Sequence, residues 1–321
     1  MAMKTVPLRV GVDVAKATLA VARSDTDEVV ALANESKAIR GWLKTLSGPV
    51  CLAVEATNVF HLGLIEQARK AGHTVYVVDG YRLKQYRESI GGRAKTDLTD
   101  ARLLLRYLTN ERQDLRTWSP PPKGYATLQR LLRRRAVLTQ AKVTLRQSLA
   151  DLPELQASTR ALLRHLNRMD ALIKKRISRT LADLEWKAQA HRCQAIEGFG
   201  PVISAALTMV YHRGAFASAD AFIAFMGMDV RVRDSGTFRG RRKLTKRGDP
   251  EVRRLLYLAA MSARRSATWR GFYDRAIARG MTPTQALVAL GRKLARIAFA
   301  LLKTGSEYQP ARQGGLAYAV R

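Results

Sequence analysis

The chain is poor in cysteine, histidine and acidic groups, and each scarcity excludes something. Two cysteines in 321 residues, Cys51 and Cys193, make neither a disulfide framework nor a ligand cluster. Both are expected to pack as small apolar residues in a reducing compartment. Five histidines are scattered without the spacing of a zinc site. The apolar runs are core-sized and broken by charge, as Asp13 and Lys16 break the first, so no membrane span or signal peptide is readable. A soluble cytoplasmic protein without a membrane partner is the expectation. Acidic groups are the most telling shortage: 26 Asp and Glu stand against 56 Lys and Arg, a formal net charge of +30. Self-repulsion on that scale calls for a polyanion, and nucleic acid is the polyanion to expect.

What is present can fold. Hydrophobic residues make up 47% of the chain, too many for a disordered basic tail. The charge is uneven: residues 1–110 carry 16 basic and 11 acidic side chains, and the remaining 211 carry 40 and 15. The first part reads as a folded domain of ordinary charge, the rest as the main grip on nucleic acid. Val10, Val12 and Val14 alternate with Gly11 and Asp13 as in a strand, followed by β-rich runs at Thr18–Arg23 and Val29–Ala33. A helix is expected over 36–46, then strands at 50–55 and 73–79 flanking a helix at 62–71. That order, β-β-β-α-β-α-β, describes a mixed sheet with helices against it.

A helical pattern at 99–108 follows, and Ser119-Pro120-Pro121-Pro122 breaks the chain. Two long basic amphipathic helices are predicted at 124–150 and 157–191, with Pro153 between them, as in a helical hairpin. The run Ile196-Glu197-Gly198-Phe199-Gly200-Pro201 before an apolar helix resembles a helix-hairpin-helix, in which Gly198 and Gly200 would let backbone N–H groups approach a phosphate. An ordinary helical turn fits the same residues. Further helices are expected at 217–227, 249–265 and 284–304.

Two groups of residues suggest chemistry. Asp13 and Glu55 are carboxylates on otherwise apolar strands, where an unpaired buried charge is costly. Asp97 and Asp100 are three apart at a helix start and share a face. Four converging carboxylates would suit hard divalent cations, and a pair of such ions can clamp the attacking and leaving oxygens of a phosphodiester. Other readings stay open: Asp97 as a helix N-terminal charge capped by Thr96, and Asp13 paired with Lys16. The second group lies in 231–254, with ten basic and three acidic side chains punctuated by Gly236, Gly240 and Gly248. Arg239, Arg241, Arg242, Lys243, Lys246 and Arg247 are its candidate phosphate contacts, and a solvated basic loop is the plainer alternative. Ser235, small and beside Gly236, is a candidate nucleophile or a turn residue. Thr237 is the competing hydroxyl.

The segments Gly11-Val12-Asp13-Val14-Ala15-Lys16, Val54-Glu55-Ala56-Thr57 and Lys95-Thr96-Asp97-Leu98-Thr99-Asp100-Ala101-Arg102 resemble the DEDD motifs of the bacterial insertion-sequence "one-ten" family of transposases, described as bridge-RNA-guided recombinases. Asp234-Ser235-Gly236-Thr237-Phe238-Arg239-Gly240-Arg241-Arg242 and Leu244-Thr245-Lys246-Arg247-Gly248 resemble the C-terminal motif of the same family. The resemblance implies an α/β RuvC-like (RNase-H-type) fold for roughly residues 1–110. With the proline run as boundary, the expected domains are a RuvC-like one over 1–118, a helical coiled-coil hairpin over 119–191, and a mostly α-helical transposase domain over 192–321. It implies Asp13, Glu55, Asp97 and Asp100 as catalytic acids holding Mg2+ or Mn2+, and Ser235 as nucleophile. The implied partners are donor and target DNA, a structured noncoding guide RNA and further copies of the chain, and the implied setting is the bacterial nucleoid. Asn58 and Phe60 depart from the family pattern, which has Gly and commonly Tyr there. The rival functions are a metal-dependent junction endonuclease using water, with Ser235 structural, and a non-catalytic nucleic-acid-binding protein.

Overall fold

A computed structural model describes residues 7–92, 96–232, 234–240 and 242–310. The chain divides into two compact units after Pro120, within the proline-rich stretch.

The first unit is a five-stranded sheet of β1 (Arg9–Val14), β2 (Thr18–Arg23), β3 (Val29–Ala33), β4 (Cys51–Glu55) and β5 (Thr74–Val78), in spatial order β3-β2-β1-β4-β5. The first three strands form the expected antiparallel meander, and β4 and β5 continue from β1 in parallel. Strand alternation then divides the residues between two faces. Val10, Val12 and Val14 pack with Ile39 and Leu43 of α1 (Ser36–Lys44) and with Leu64, Ile65 and Ala68 of α2 (Leu62–Lys70). On the opposite face, Cys51 and Ala53 pack with Leu83 of α3 (Gly80–Ser89) and with Leu103, Leu104 and Leu108 of α4 (Asp97–Glu111). Asp13 follows the parity of Gly11, and Glu55 that of Ala53, so both belong to the α3–α4 face. Helix α3 is an addition to the expected element order. Asp79 caps it, accepting from the backbone N–H groups of Tyr81 and Arg82.

The second unit is helical around one core. Helices α5 (Tyr125–Ser148) and α6 (Gln156–Asp183) form an antiparallel hairpin. Across it, buried Asp170 pairs with Arg135 at 3.0 Å, and within α6 with Lys174 at 2.8 Å. The second helix does not run to residue 191 as its periodicity predicts. It stops at Asp183, Glu185 takes φ +61°, and α7 (Lys187–Cys193) starts a new direction. Trp186 anchors this break by stacking on His212, with ring centroids 4.0 Å apart. Helices α8 (Pro201–Tyr211), α9 (Ala219–Phe225), α10 (Pro250–Ala263), α11 (Ala267–Ala278) and α12 (Pro283–Thr304) complete the unit. Leu128, Leu132, Ile177 and Leu181 of the hairpin share its core with Leu207, Leu256 and Leu294. Helix α11 was also not anticipated from the sequence. Among the described residues no helix is long and apolar enough to cross a membrane.

Candidate metal centre and nucleic-acid interface

Three strand and helix positions bring the acids to one region. Gly11 makes the closest packing contact: a Cβ there would stand 2.3 Å from the Ala101 carbonyl oxygen and 2.4 Å from the Leu105 nitrogen. With no side chain in the way, α4 rests directly on β1. Asp13 lies two residues further along that strand, Asp100 immediately precedes Ala101, and Asp97 lies about one turn before it. The electrostatics register the approach. Burial, followed by the charges of Asp100, Glu55 and Asp97, pushes the Asp13 carboxyl up to about 6, although the Val14 N–H donates to it. Asp97 also keeps its plainer role as a first-turn charge: Thr96 caps α4 and forms a reciprocal box with Thr99. Lys16 is exposed.

Helix α3 borders the cluster at two points. Arg87 donates to Asp100 Oδ1 at 2.6 Å, with side chains only 16% and 8% exposed. At the helix start, a Cβ on Gly80 would fall 2.5 Å from Glu55 Oε1. Neither Arg87 nor Gly80 was singled out in the sequence, where they look like a surface arginine and a turn glycine. The signal that could have found them is the Asp79-Gly80 cap immediately after an apolar strand. Among the described residues, no group of three or more His, Cys, Asp or Glu side chains is arranged to hold a metal ion. The acids are thus within electrostatic reach of one another but not drawn into a ligand shell. The donor set nonetheless suits a hard cation: all-oxygen, mutually repelling, and half enclosed.

Asn58 takes φ +45°, a conformation that glycine and asparagine adopt more readily than other residues. The departure from Gly at this position therefore keeps the turn. Phe60 packs against the core of the first unit, and its carbonyl accepts from the Asn34 side chain at 3.1 Å.

In the second unit, the basic stretch is a short two-step ribbon. β6 (Val230–Arg231) pairs with β9 (Lys243–Leu244), and further out β7 (Asp234–Ser235) pairs with β8 (Phe238–Arg239). Ser235 is opposite Phe238, and Gly236, at φ +53°, makes the two-residue turn with Thr237. Ser235 is exposed beside that turn. Its neighbour Asp234 accepts both arms of the Arg242 fork, at 2.7 and 2.8 Å, and the Gly240 N–H at 3.2 Å. Hydrogen bonding to Arg242 holds the Asp234 carboxyl below its usual range. Arg242 is therefore engaged in bracing the hairpin. Lys243, Lys246 and Arg247 are exposed. Arg241 and the side chain of Arg239 lie outside the described residues. The ribbon base is held by Arg253, which donates to the Gly248 carbonyl at 2.7 Å and the Met226 carbonyl at 3.2 Å. Asp249 caps α10 and receives Arg133 of α5 at 3.1 Å.

At the glycine-rich turn the two glycines differ. Gly198, at φ +84°, would place a Cβ 2.2 Å from the Ala259 carbonyl oxygen, so its bareness serves packing on α10. Gly200 has nothing within 4 Å of a Cβ and stands at the start of α8. Glu197 ties the turn down, accepting from Thr268 at 2.8 Å, Trp269 at 3.1 Å and Tyr308.

Comparison with known proteins matches these two regions separately. Residues 10–155 match the DEDD transposase model of the IS110 type, and residues 190–274 match the model described as "Transposase IS116/IS110/IS902 family". The "Pilin gene-inverting protein" of Moraxella lacunata is 28% identical over 78% of this chain and 80% of its own length. The "Insertion element IS900 uncharacterized 42 kDa protein" of Mycobacterium paratuberculosis is 34% identical over 42% of this chain and 36% of its own. A 43.6 kDa IS110 insertion-element protein of Streptomyces coelicolor is 28% identical over 39% and 31%. The match thus spans about a third of the two insertion-element proteins and four fifths of the pilin-inverting one. Two models in succession, together covering more than two thirds of the residues, place the chain in the IS110 family of insertion-sequence transposases.

Proposed function

We propose that the chain is a site-specific DNA recombinase that cuts and rejoins strands through Ser235, assisted by a divalent cation on Asp13, Glu55, Asp97 and Asp100. The observation that carries this reading is the close seat of α4 on β1 at Gly11, which brings Asp97 and Asp100 to the strand face that bears Asp13. Burial first, and then the charges of Asp100, Glu55 and Asp97, raise the Asp13 carboxyl. A divalent cation would offset the repulsion among these carboxylates. The strand order β3-β2-β1-β4-β5 supports an RNase-H-type, RuvC-like first unit. When bound, Mg2+ or Mn2+ would supply charge stabilisation to the oxygens of the reacting phosphodiester.

Ser235 carries the covalent step. Its Oγ attacks phosphorus, the Oγ–P bond forms, the bond from phosphorus to the departing deoxyribose oxygen breaks, and that oxygen takes up a proton as the serine loses one. Reversal by a hydroxyl of the partner strand rejoins DNA without an external energy source. Exposure at the hairpin beside Gly236 supports this role, since a duplex backbone can reach an exposed hydroxyl. The acids and the serine belong to different units, so chemistry requires them to come together, within one chain or between copies. A noncoding RNA that selects both DNA partners by pairing fits a protein rich in phosphate-binding charge. A cytoplasmic, nucleoid-associated setting follows from DNA as substrate.

The test is a trapping assay with purified protein, Mg2+, RNA transcribed from the element ends, and labelled donor and target DNA. After denaturation, label retained on wild-type protein and absent from Ser235→Ala is the expected result. Cleavage without an adduct in either protein overturns the serine mechanism and leaves a junction endonuclease that uses water.

A further inference from the structure

Helix α3 meets the acid cluster twice from the same side. Gly80 and Arg87 are seven residues apart, about two full turns, so both lie on one helix face. The bare Gly80 makes room for Glu55 Oε1 at the start of the helix, where the peptide dipoles present positive charge. Two turns on, Arg87 holds Asp100 at 2.6 Å in a setting that is 16% and 8% exposed. The Tyr86 ring packs edge-on against Tyr107 of α4 at 4.9 Å, and the Tyr86 hydroxyl accepts from Asn110 at 2.8 Å. These contacts secure the helix that carries the arginine. A carboxylate as enclosed as Asp100 is costly without a partner, and Asp13, which also feels the charges of Glu55 and Asp97, lies close enough for its charge and that of Asp100 to repel.

We propose that Arg87 is a positioning residue that acts as the built-in counter-charge of the cluster: it holds Asp100 in place and offsets the repulsion among the acids, a task a divalent cation shares on binding. This rests on the reading that the four acids hold such a cation. Removing the guanidinium has two opposed effects. The cluster becomes harder to fold on its own, and its remaining negative charge attracts a cation more strongly. A residue that only tied α3 to α4 would produce the first effect without the second.

The experiment is thermal unfolding of the full-length chain in EDTA and across a Mn2+ titration, for wild type, Arg87→Gln, Arg87→Lys and Asp13→Asn. Arg87→Gln is expected to lower Tm in EDTA by about 5 °C. Mn2+ should recover most of that loss, with a half-saturating concentration about tenfold lower than wild type. Arg87→Lys, which keeps the charge, should follow the wild type. An Arg87→Gln loss equal with and without Mn2+, at an unchanged midpoint, would overturn the proposal. If Arg87→Gln does not fold in EDTA, recovery in Mn2+ supports the proposal, and failure in Mn2+ overturns it. A wild-type response to Mn2+ that Asp13→Asn abolishes keeps the metal reading whatever Arg87→Gln does. No response in any of the four proteins removes both.

Discussion

The backbone of Gly11 lies so close beneath Ala101 that a Cβ would stand 2.3 Å from the Ala101 carbonyl oxygen. Two elements separated by ninety residues of sequence thereby touch main chain to main chain, and the acids on either side of that contact share one region. Gly11→Ala would force α4 away from β1. Overpacking of this kind costs about 1–3 kcal/mol, and the expected outcome is a lower urea midpoint together with loss of strand cleavage. Gly41, on the exposed side of α1 with nothing within 4 Å of a Cβ, is the control. Gly41→Ala should raise stability by about 0.5–1 kcal/mol and leave cleavage unchanged.

Asn58 at φ +45° makes a second prediction. Asn58→Gly should be nearly neutral, because glycine enters this region without a steric penalty. Asn58→Val should destabilise the first unit by about 1–2 kcal/mol, since β-branched residues resist positive φ. Chemical denaturation of the three proteins checks the order.

Glu197 gives the protein a pH-dependent component of stability. Burial raises its carboxyl, but hydrogen bonds from Tyr308, Thr268 and Trp269 outweigh burial and hold it below the ordinary glutamate value. A depressed folded value means the contribution is fully present above the unfolded pKa, about 4.3, and is lost as pH falls through the folded value. Glu197→Gln should therefore be less stable than wild type by about 1 kcal/mol at pH 7. That gap should narrow below pH ~4. Denaturant titrations at pH 7, 5 and 3.5 measure it, and a constant gap would contradict the assignment.

Asp234 grips the Arg242 fork one residue from Ser235. The pair is exposed, so Asp234→Ala should leave the melting temperature within about 1 °C of wild type. The hairpin that presents the serine would lose its brace, and trapped covalent adduct should fall about tenfold through misplacement of the hydroxyl. Equal adduct in both proteins would show that the brace does not position Ser235.

Much of the first unit was legible because strand periodicity is local. Alternation around Val10, Val12 and Val14 identified β1, and the apolar runs identified β4 and β5 as strands of a mixed sheet; that they pair in parallel next to β1 is seen only in the structure. Helices α3 and α11 were missed. Helix α3 has a single fully buried apolar anchor, Leu83, and α11 only Trp269 and Ala276, too few to produce a periodic signal. The predicted helix over 157–191 continued past its true end because no Gly or Pro marks Glu185. The turn there is held by Trp186 stacking on His212, a contact with a residue 26 positions away.

The sequence alone determined that Asp13 and Glu55 face away from Val12 and Val54, because side chains on a strand must alternate. It determined too that Asp97 and Asp100 share the first turn of a helix, and that Ser235 sits at a glycine turn among arginines and lysines. Only the tertiary structure decided that α4 settles on the face bearing Asp13, that Arg87 reaches Asp100, and that Arg242 is taken up by Asp234. Those outcomes depend on close approach between segments far apart in the chain, where packing and charge select the partner and no local pattern encodes it.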